Sequence, residues 1–176
     1  MSHPLWAPWR MEYILGPKGP AEACIFCGVA SASPEERRER LVVASAERAF
    51  VILNRYPFAA GHILIVPHAH AAALEDLDPG DYDALFQLVR ASSTRLRKAL
   101  KAEGFNIGLN LGAVAGAGVA AHLHVHIVPR WSGDTNFMPV LADVRVIPQA
   151  LEATRDHLER HFADLNSGPA QRSEAL

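Results

Sequence analysis

The sequence predicts an α+β fold: a five-stranded antiparallel sheet with a long central helix and a C-terminal helix. Two observations carry this reading. Five short apolar runs stand between turn-forming residues, three before and two after one long segment with helical spacing, a pattern of segregated rather than alternating elements. The length of 176 residues suits one domain of ordinary size, and no internal repeat divides it.

In chain order, residues 1–23 carry Trp6, Trp9, Tyr13 and four prolines and read as an irregular N-terminal arm. The charged stretch Ser31–Arg40 reads as a solvated loop or short helix. Leu41-Val42-Val43-Ala44 and Ala49-Phe50-Val51-Ile52-Leu53 are strands joined by a hairpin over residues 45–48. Residues 54–61 form a turn, and a third strand, His62–Val66, stops at Pro67. Asp78 is placed to cap a helix with Pro79 at its first position. Tyr82, Leu85, Phe86, Val89, Leu96 and Leu100 then recur at helical spacing, and Gly104 is the expected C-cap. Phe105–Asn110 is the fourth strand. After the small-residue loop Gly112–Gly118, His122–Val128 is the fifth, ended by Pro129. A last helix is expected from about Pro148 to Leu165, so the domain spans 1–166 and residues 167–176 form a frayed tail.

Composition narrows the function classes. Lys and Arg number 17 against 19 Asp and Glu, apolar residues make 49% and charged residues 20%. That balance argues against disorder and against a general nucleic-acid binder. No apolar stretch approaches the ~18 residues of a membrane span. The start, Met1 to Trp6, lacks the basic head and apolar core of a secretory signal, so a cytoplasmic setting with no membrane partner is expected.

The two cysteines form Cys24-Ile25-Phe26-Cys27. Two cysteines do not make a disulfide scaffold, and in a cytosolic chain this spacing reads as redox or metal chemistry. A thioredoxin-like pair would follow a strand. Here the preceding Gly16-Pro17-Lys18-Gly19-Pro20 is turn-like, which weakens the redox branch.

Nine histidines stand out, and three fall in His122-Leu123-His124-Val125-His126. On a strand all three imidazoles share one face, about 6.5 Å apart along the chain, while Leu123 and Val125 share the other. Two readings follow from the spacing. A His-x-His pair can bind catalytic zinc; alternatively, one imidazole is a nucleophile that its neighbours orient. The upstream loop, Asn110 to Gly118, is small enough for backbone N–H groups to approach an anion, or is simply a flexible connection.

These residues resemble the histidine triad (HIT) family, whose signature is His-φ-His-φ-His-φ-φ with φ apolar. It stands here as His122-Leu123-His124-Val125-His126-Ile127-Val128. Leu53-Asn54-Arg55-Tyr56-Pro57-Phe58-Ala59-Ala60-Gly61-His62 is similar to a stretch of the diadenosine polyphosphate hydrolases. Leu5–Ile14 and Pro129–Phe137 look like the bacterial diadenosine tetraphosphate hydrolase or phosphorylase branch.

The resemblance implies a HIT-like fold, a homodimer, and cleavage of dinucleoside polyphosphates through a covalent nucleotidyl group on His124. His126 would contact phosphate and His122 would orient the cluster. By the same resemblance Asn54 meets the ribose, Ile25, Phe26 and Ile52 sandwich the purine base, and Asn110, Gly112, Gly116 and Gly118 lie near the phosphates. Read without it, Ile25, Phe26 and Ile52 would be plain core. The resemblance also implies a structural zinc on Cys24, Cys27, His70 and His122, and no organic cofactor. Alternatives within reach are an ADP-forming diadenosine tetraphosphate phosphorylase, a nucleoside phosphoramidase, and a nucleotide-binding protein without turnover. One departure matters: Val119-Ala120-Ala121 carries no hydroxyl or amide where many members place one, so phosphate contact must come mainly from backbone.

Overall fold

The computed structural model describes residues 24–134 and 149–166. The expected arm (1–23), the Leu5–Ile14 motif, the end of the Pro129–Phe137 motif, the Pro148 helix start and the tail (167–176) lie outside the described residues. Strands β1 (Val42–Ser45), β2 (Ala49–Leu53), β3 (Ile63–Pro67), β4 (Gly104–Leu109) and β5 (Val125–Arg130) form one sheet in the order β1-β2-β3-β5-β4. Every neighbouring pair is antiparallel. Helix α1 (Pro34–Glu39) precedes the sheet, α2 (Pro79–Leu100) lies between β3 and β4, and α3 (Leu151–Phe162) follows β5.

β1, β2 and β3 read as continuous apolar runs because the sheet is covered on both faces there, whereas β4 at the edge is half-buried to exposed. Val51, Leu53, Ile63, Ile65, Val125 and Ile127 face α2 and α3, packing on Leu85, Leu88, Leu96, Leu158 and Phe162. Their alternate neighbours Phe50, Ile52, Leu64 and Val66 face the other way and pack on Phe26 and Val29, as a period of two requires. Asp78 caps α2 by accepting from the Asp81 N–H at 2.8 Å. The charged Ser31–Arg40 stretch yields the short helix α1, closed by a Ser33/Glu36 capping box. Arg155 pins α3 to the sheet, donating from Nε to the Val42 carbonyl at 2.8 Å while its fork holds Glu159.

β1, β3 and β4 are each displaced by one residue from expectation, β3 includes Pro67, and β5 runs on through Pro129 to Arg130; three further boundaries differ for reasons the contacts show. The C-cap of α2 is Lys101 in the left-handed conformation (φ 54°), not Gly104, which instead opens β4. Glu103 N–H already bonds the Arg130 carbonyl, so pairing to β5 claims the chain early. β5 begins at Val125 rather than His122, because the Leu123 N–H turns to the Ala71 carbonyl at 2.7 Å. Finally α3 gives way to a 3₁₀ turn at Ala163–Leu165.

The turn into β3 brings a histidine into the interior. Gly61 has φ +70°, and a Cβ there would strike the Leu100 side chain. His62, the next residue, is fully buried, and its carbonyl accepts from the Asn54 N–H at 2.9 Å. Gly61→Ala is expected to lower the unfolding free energy by about 1–2 kcal/mol, the cost of a left-handed L-residue. Urea denaturation of the two proteins measures it; an unchanged midpoint would reject the constraint.

Candidate functional site

On the sheet face turned away from α2 and α3, Ile52, Leu64, His126 and Gly108 stand in one cross-strand row. Gly108 leaves the place beside His126 open, since a Cβ there would meet nothing within 4 Å. His122 and His124 precede β5 yet keep the alternation. Leu123, Val125 and Ile127 enter the helix-side core, and the rings of His122 and His124 contact Phe26 on the opposite side.

Backbone groups assign the protons. A carbonyl can only accept, so His122 donates Nε2–H to the Pro67 carbonyl at 2.9 Å and keeps a lone pair on Nδ1. By the same rule His124 donates Nδ1–H to the His122 carbonyl at 2.9 Å, which leaves the lone pair on Nε2. Phe58 N–H donates to His62 Nδ1 at 3.1 Å. His62 must then carry its proton on Nε2, which donates to His126 Nδ1 at 3.0 Å. That leaves His126 with Nε2–H, buried and without a partner among the described residues.

Burial holds these imidazoles neutral. It pushes His122 and His124 below the ordinary histidine value. His126 falls from 6.5 to about 4, through burial first and then the neighbouring His124. Near neutral pH the site therefore offers a lone pair on His124 and an unshared N–H on His126, the two rings 5.0 Å apart.

Behind the triad lies a second cluster. The ligand atoms of Cys24, Cys27, His70 and His122 all fall within 4.8 Å of one another. His122 Nδ1 is 3.3 Å from Cys24 Sγ and 3.7 Å from Cys27 Sγ, and His70 Nδ1 is 3.2 Å from Cys27 Sγ. Two thiols with two imidazoles are the donor set of a closed tetrahedral site. The Pro67 carbonyl, by holding the other nitrogen's proton, turns the His122 lone pair toward the sulfurs. These four residues can hold a metal. Burial and the adjacent Cys24 push the Cys27 thiol up; a cation between the sulfurs would reverse that direction.

A family model described as HIT domain matches residues 35–133. The chain belongs to the HIT family. It is 38% identical over 169 residues to a Mycobacterium tuberculosis protein named AP-4-A phosphorylase, covering 90% of this chain and 84% of that one. It is 40% identical over 82 residues to the Schizosaccharomyces pombe bis(5'-nucleosyl)-tetraphosphatase (asymmetrical), covering 47% of this chain and 44% of that one. A zinc-bound histidine triad family protein from Mycobacterium smegmatis has the same fold, with a TM-score of 0.64 and 29% identity over 83% of this chain and 97% of that one.

The remaining expected residues distribute unevenly around the HIT triad. Asn54 lies against His62, its Nδ2 3.3 Å from the ring Nδ1, and its Oδ1 accepts from the Tyr56 N–H. Phe26 and Ile52 are buried in the cluster under the triad, whereas Ile25 is 63% exposed. In the upstream loop, half-buried Asn110 follows β4, Gly112 and Gly116 take positive φ, and Gly118 is exposed. Gly116, expected near the phosphates, closes the 3₁₀ turn of this loop. Its amide closes on the Ala113 carbonyl at 3.0 Å, and Ala117 N–H closes on Gly112, so both are engaged inside the loop.

His62 is the residue that the sequence placed at the head of the third strand without giving it work. Its signal was a histidine heading an otherwise apolar strand, a polar group that burial would force to find partners. His126 supplies a pH test. Its lowered pKa means that the unfolded chain binds more protons between pH 6.5 and about 4, so stability falls as pH drops through that window and is intact above it. His126→Asn should flatten the fall in thermal midpoint between pH 7 and pH 4.5 relative to the parent. Parallel curves would show that His126 carries no share.

Proposed function

We propose that this protein cleaves dinucleoside polyphosphates of the diadenosine tetraphosphate type by transferring a nucleotidyl group to His124. The observation that carries the reading is the His124 Nδ1–H bond to the His122 carbonyl, which leaves Nε2 as a neutral nitrogen nucleophile. Its lone pair attacks the α-phosphorus, a P–N bond forms, and the P–O bond to the departing nucleoside polyphosphate breaks. The leaving oxygen departs as an anion, and the unshared N–H of His126 donates a hydrogen bond to it. An acceptor then takes the nucleotidyl group and restores the lone pair: water gives a nucleoside monophosphate, inorganic phosphate a nucleoside diphosphate. Asn54, Ile25, Phe26, Ile52, Asn110 and Gly112 hold the nucleoside and first phosphate, with Gly118 contributing backbone.

The named activities of the M. tuberculosis and S. pombe relatives support this substrate class, and the former makes phosphate the acceptor to try first. Cys24, Cys27, His70 and His122 hold a structural zinc in this reading, which supplies a fixed link between the 24–27 segment and the entry to β5; the zinc-bound M. smegmatis relative supports it. A second copy of the chain completes the assembly. β4 is one of the two edge strands among the described residues, and Ile107 on it is 48% exposed, a surface suited to pairing.

Incubation with diadenosine tetraphosphate, with and without phosphate, separates the outcomes. ATP with AMP means hydrolysis, ATP with ADP means phosphorolysis, and no turnover by the parent protein would defeat the enzyme reading in favour of nucleotide binding alone. His124→Ala should lower kcat by roughly 10³-fold or more, and His62→Ala by roughly 10- to 100-fold through the misplaced His126 proton. Protein produced in zinc-supplemented medium should carry about one zinc per chain, and Cys24→Ser should lose it. Elemental analysis without zinc in the parent protein would remove the metal from the reading.

A further inference from the structure

We infer that Phe26 is a positioning residue: held inside the Cys24–Cys27 knuckle, it sets the plane of the His124 ring, so the orientation of the nucleophile depends on the knuckle as well as on the sheet. His124 stands one residue before the first ladder residue of β5, where no strand partner fixes its backbone. Its ring has one hydrogen bond, at Nδ1. A single bond at one nitrogen anchors that atom but leaves the ring free to tilt about it. Two rings pack on it among the described residues: His126, from the sheet, at 5.0 Å and 60°, and Phe26, from the knuckle, with centroids 5.3 Å apart and planes at 52°.

Phe26 is well placed to impose that plane. It is 4% exposed and meets His122 edge-on at 5.5 Å and 78°. Phe50 of β2 supports it from behind at 6.4 Å, and Phe50 is itself stacked on His68. All of these separations fall in the range where aromatic rings attract with a preferred geometry. The backbone carrying Phe26 is tied at both ends. Cys27 N–H bonds the Cys24 carbonyl, Arg40 bonds the Cys27 carbonyl, and the two thiols abut His122 and His70. The knuckle therefore turns Phe26 inward and Ile25 outward. It reaches His124 by two routes, through the Phe26 ring and through the carbonyl of His122, whose ring faces the thiols.

The kinetic arm of the test rests on His124 being the nucleophile; the spectroscopic arm does not. In zinc-replete protein with ¹⁵N-labelled histidine, long-range ¹H–¹⁵N spectra report which ring nitrogen of His124 carries the proton. The parent should give the Nδ1–H form. Phe26→Leu, and Phe26→Met as a second variant that keeps the volume, should keep their zinc and give averaged or mixed ring signals. Their kcat should fall about tenfold or more, in addition to the rise in KM that loss of a nucleoside contact brings. Val29→Ala, a fully buried position of the same cluster, controls for general loosening and should lower the thermal midpoint without moving the His124 signals. Parent-like ring signals in both Phe26 variants, with only KM raised, would make Phe26 a base-pocket wall and overturn the inference. So would equal spectral changes in Val29→Ala. If the parent shows no turnover, the ring spectra still decide the matter.

Discussion

The site depends on backbone groups that can only accept or only donate, because these decide which nitrogen of each imidazole holds its proton. Neutral imidazole has one donor and one acceptor, and nothing in the ring chooses between them. The Pro67 carbonyl chooses for His122, the His122 carbonyl for His124, and the Phe58 amide for His62 and through it for His126. This constraint explains why β5 starts where it does. β5 lies between β3 and β4, and carbonyls in a central strand are consumed by the ladder. With His122 outside the ladder, its carbonyl is available to the His124 ring. The Leu123 amide, drawn to Ala71, is the contact that ends the ladder there.

Much of the scaffold was legible because it is local. Ala49–Leu53 is an apolar run between turns and is a strand with those bounds; Asp78 followed by Pro79 marks the start of α2 and is where it starts. The end of α2 was less legible. Gly104 is the better left-handed residue by intrinsic preference, but Lys101 takes that conformation because β4 must begin pairing with Arg130 immediately afterwards. The triad's shared face survived the shortened strand, since alternation belongs to extended backbone rather than to the ladder. His62 was visible as an oddity but not as a working group. Its partner His126 is 64 residues away, and no periodicity encodes that meeting.

The metal cluster sits between these cases. The Cys24–Cys27 spacing is local and suggested a metal by chemistry, but His70 and His122 join the cysteines only through the antiparallel sheet. β3 ends at Pro67, the chain runs on to His70 and Ala71, and Ala71 pairs with Leu123. That one backbone bond brings His122 beside His70, with rings 5.0 Å apart, and ends the β5 ladder in the same place. The candidate metal cluster and the triad thus share a structural cause as well as a residue, His122.

Burial has opposite consequences on the two sides of His122. At Cys27 it favours the neutral thiol, a direction that a cation beside the sulfur would reverse. Toward His124 and His126 neutrality is the useful state, because a protonated His124 has no lone pair to offer. Among the described residues two buried side-chain polar atoms lack a hydrogen-bond partner, Ser92 Oγ within α2 and His126 Nε2 at the site; a buried donor left so costs about 1–3 kcal/mol. A fold that meant only to be stable would place an apolar side chain at the His126 position. The cost is offset when an acceptor arrives from outside, and the offset is greatest for an oxygen that gains negative charge as its bond breaks, since a charged acceptor strengthens the hydrogen bond. In the proposed reaction the unpaired donor would therefore bind the transition state in preference to the substrate that precedes it.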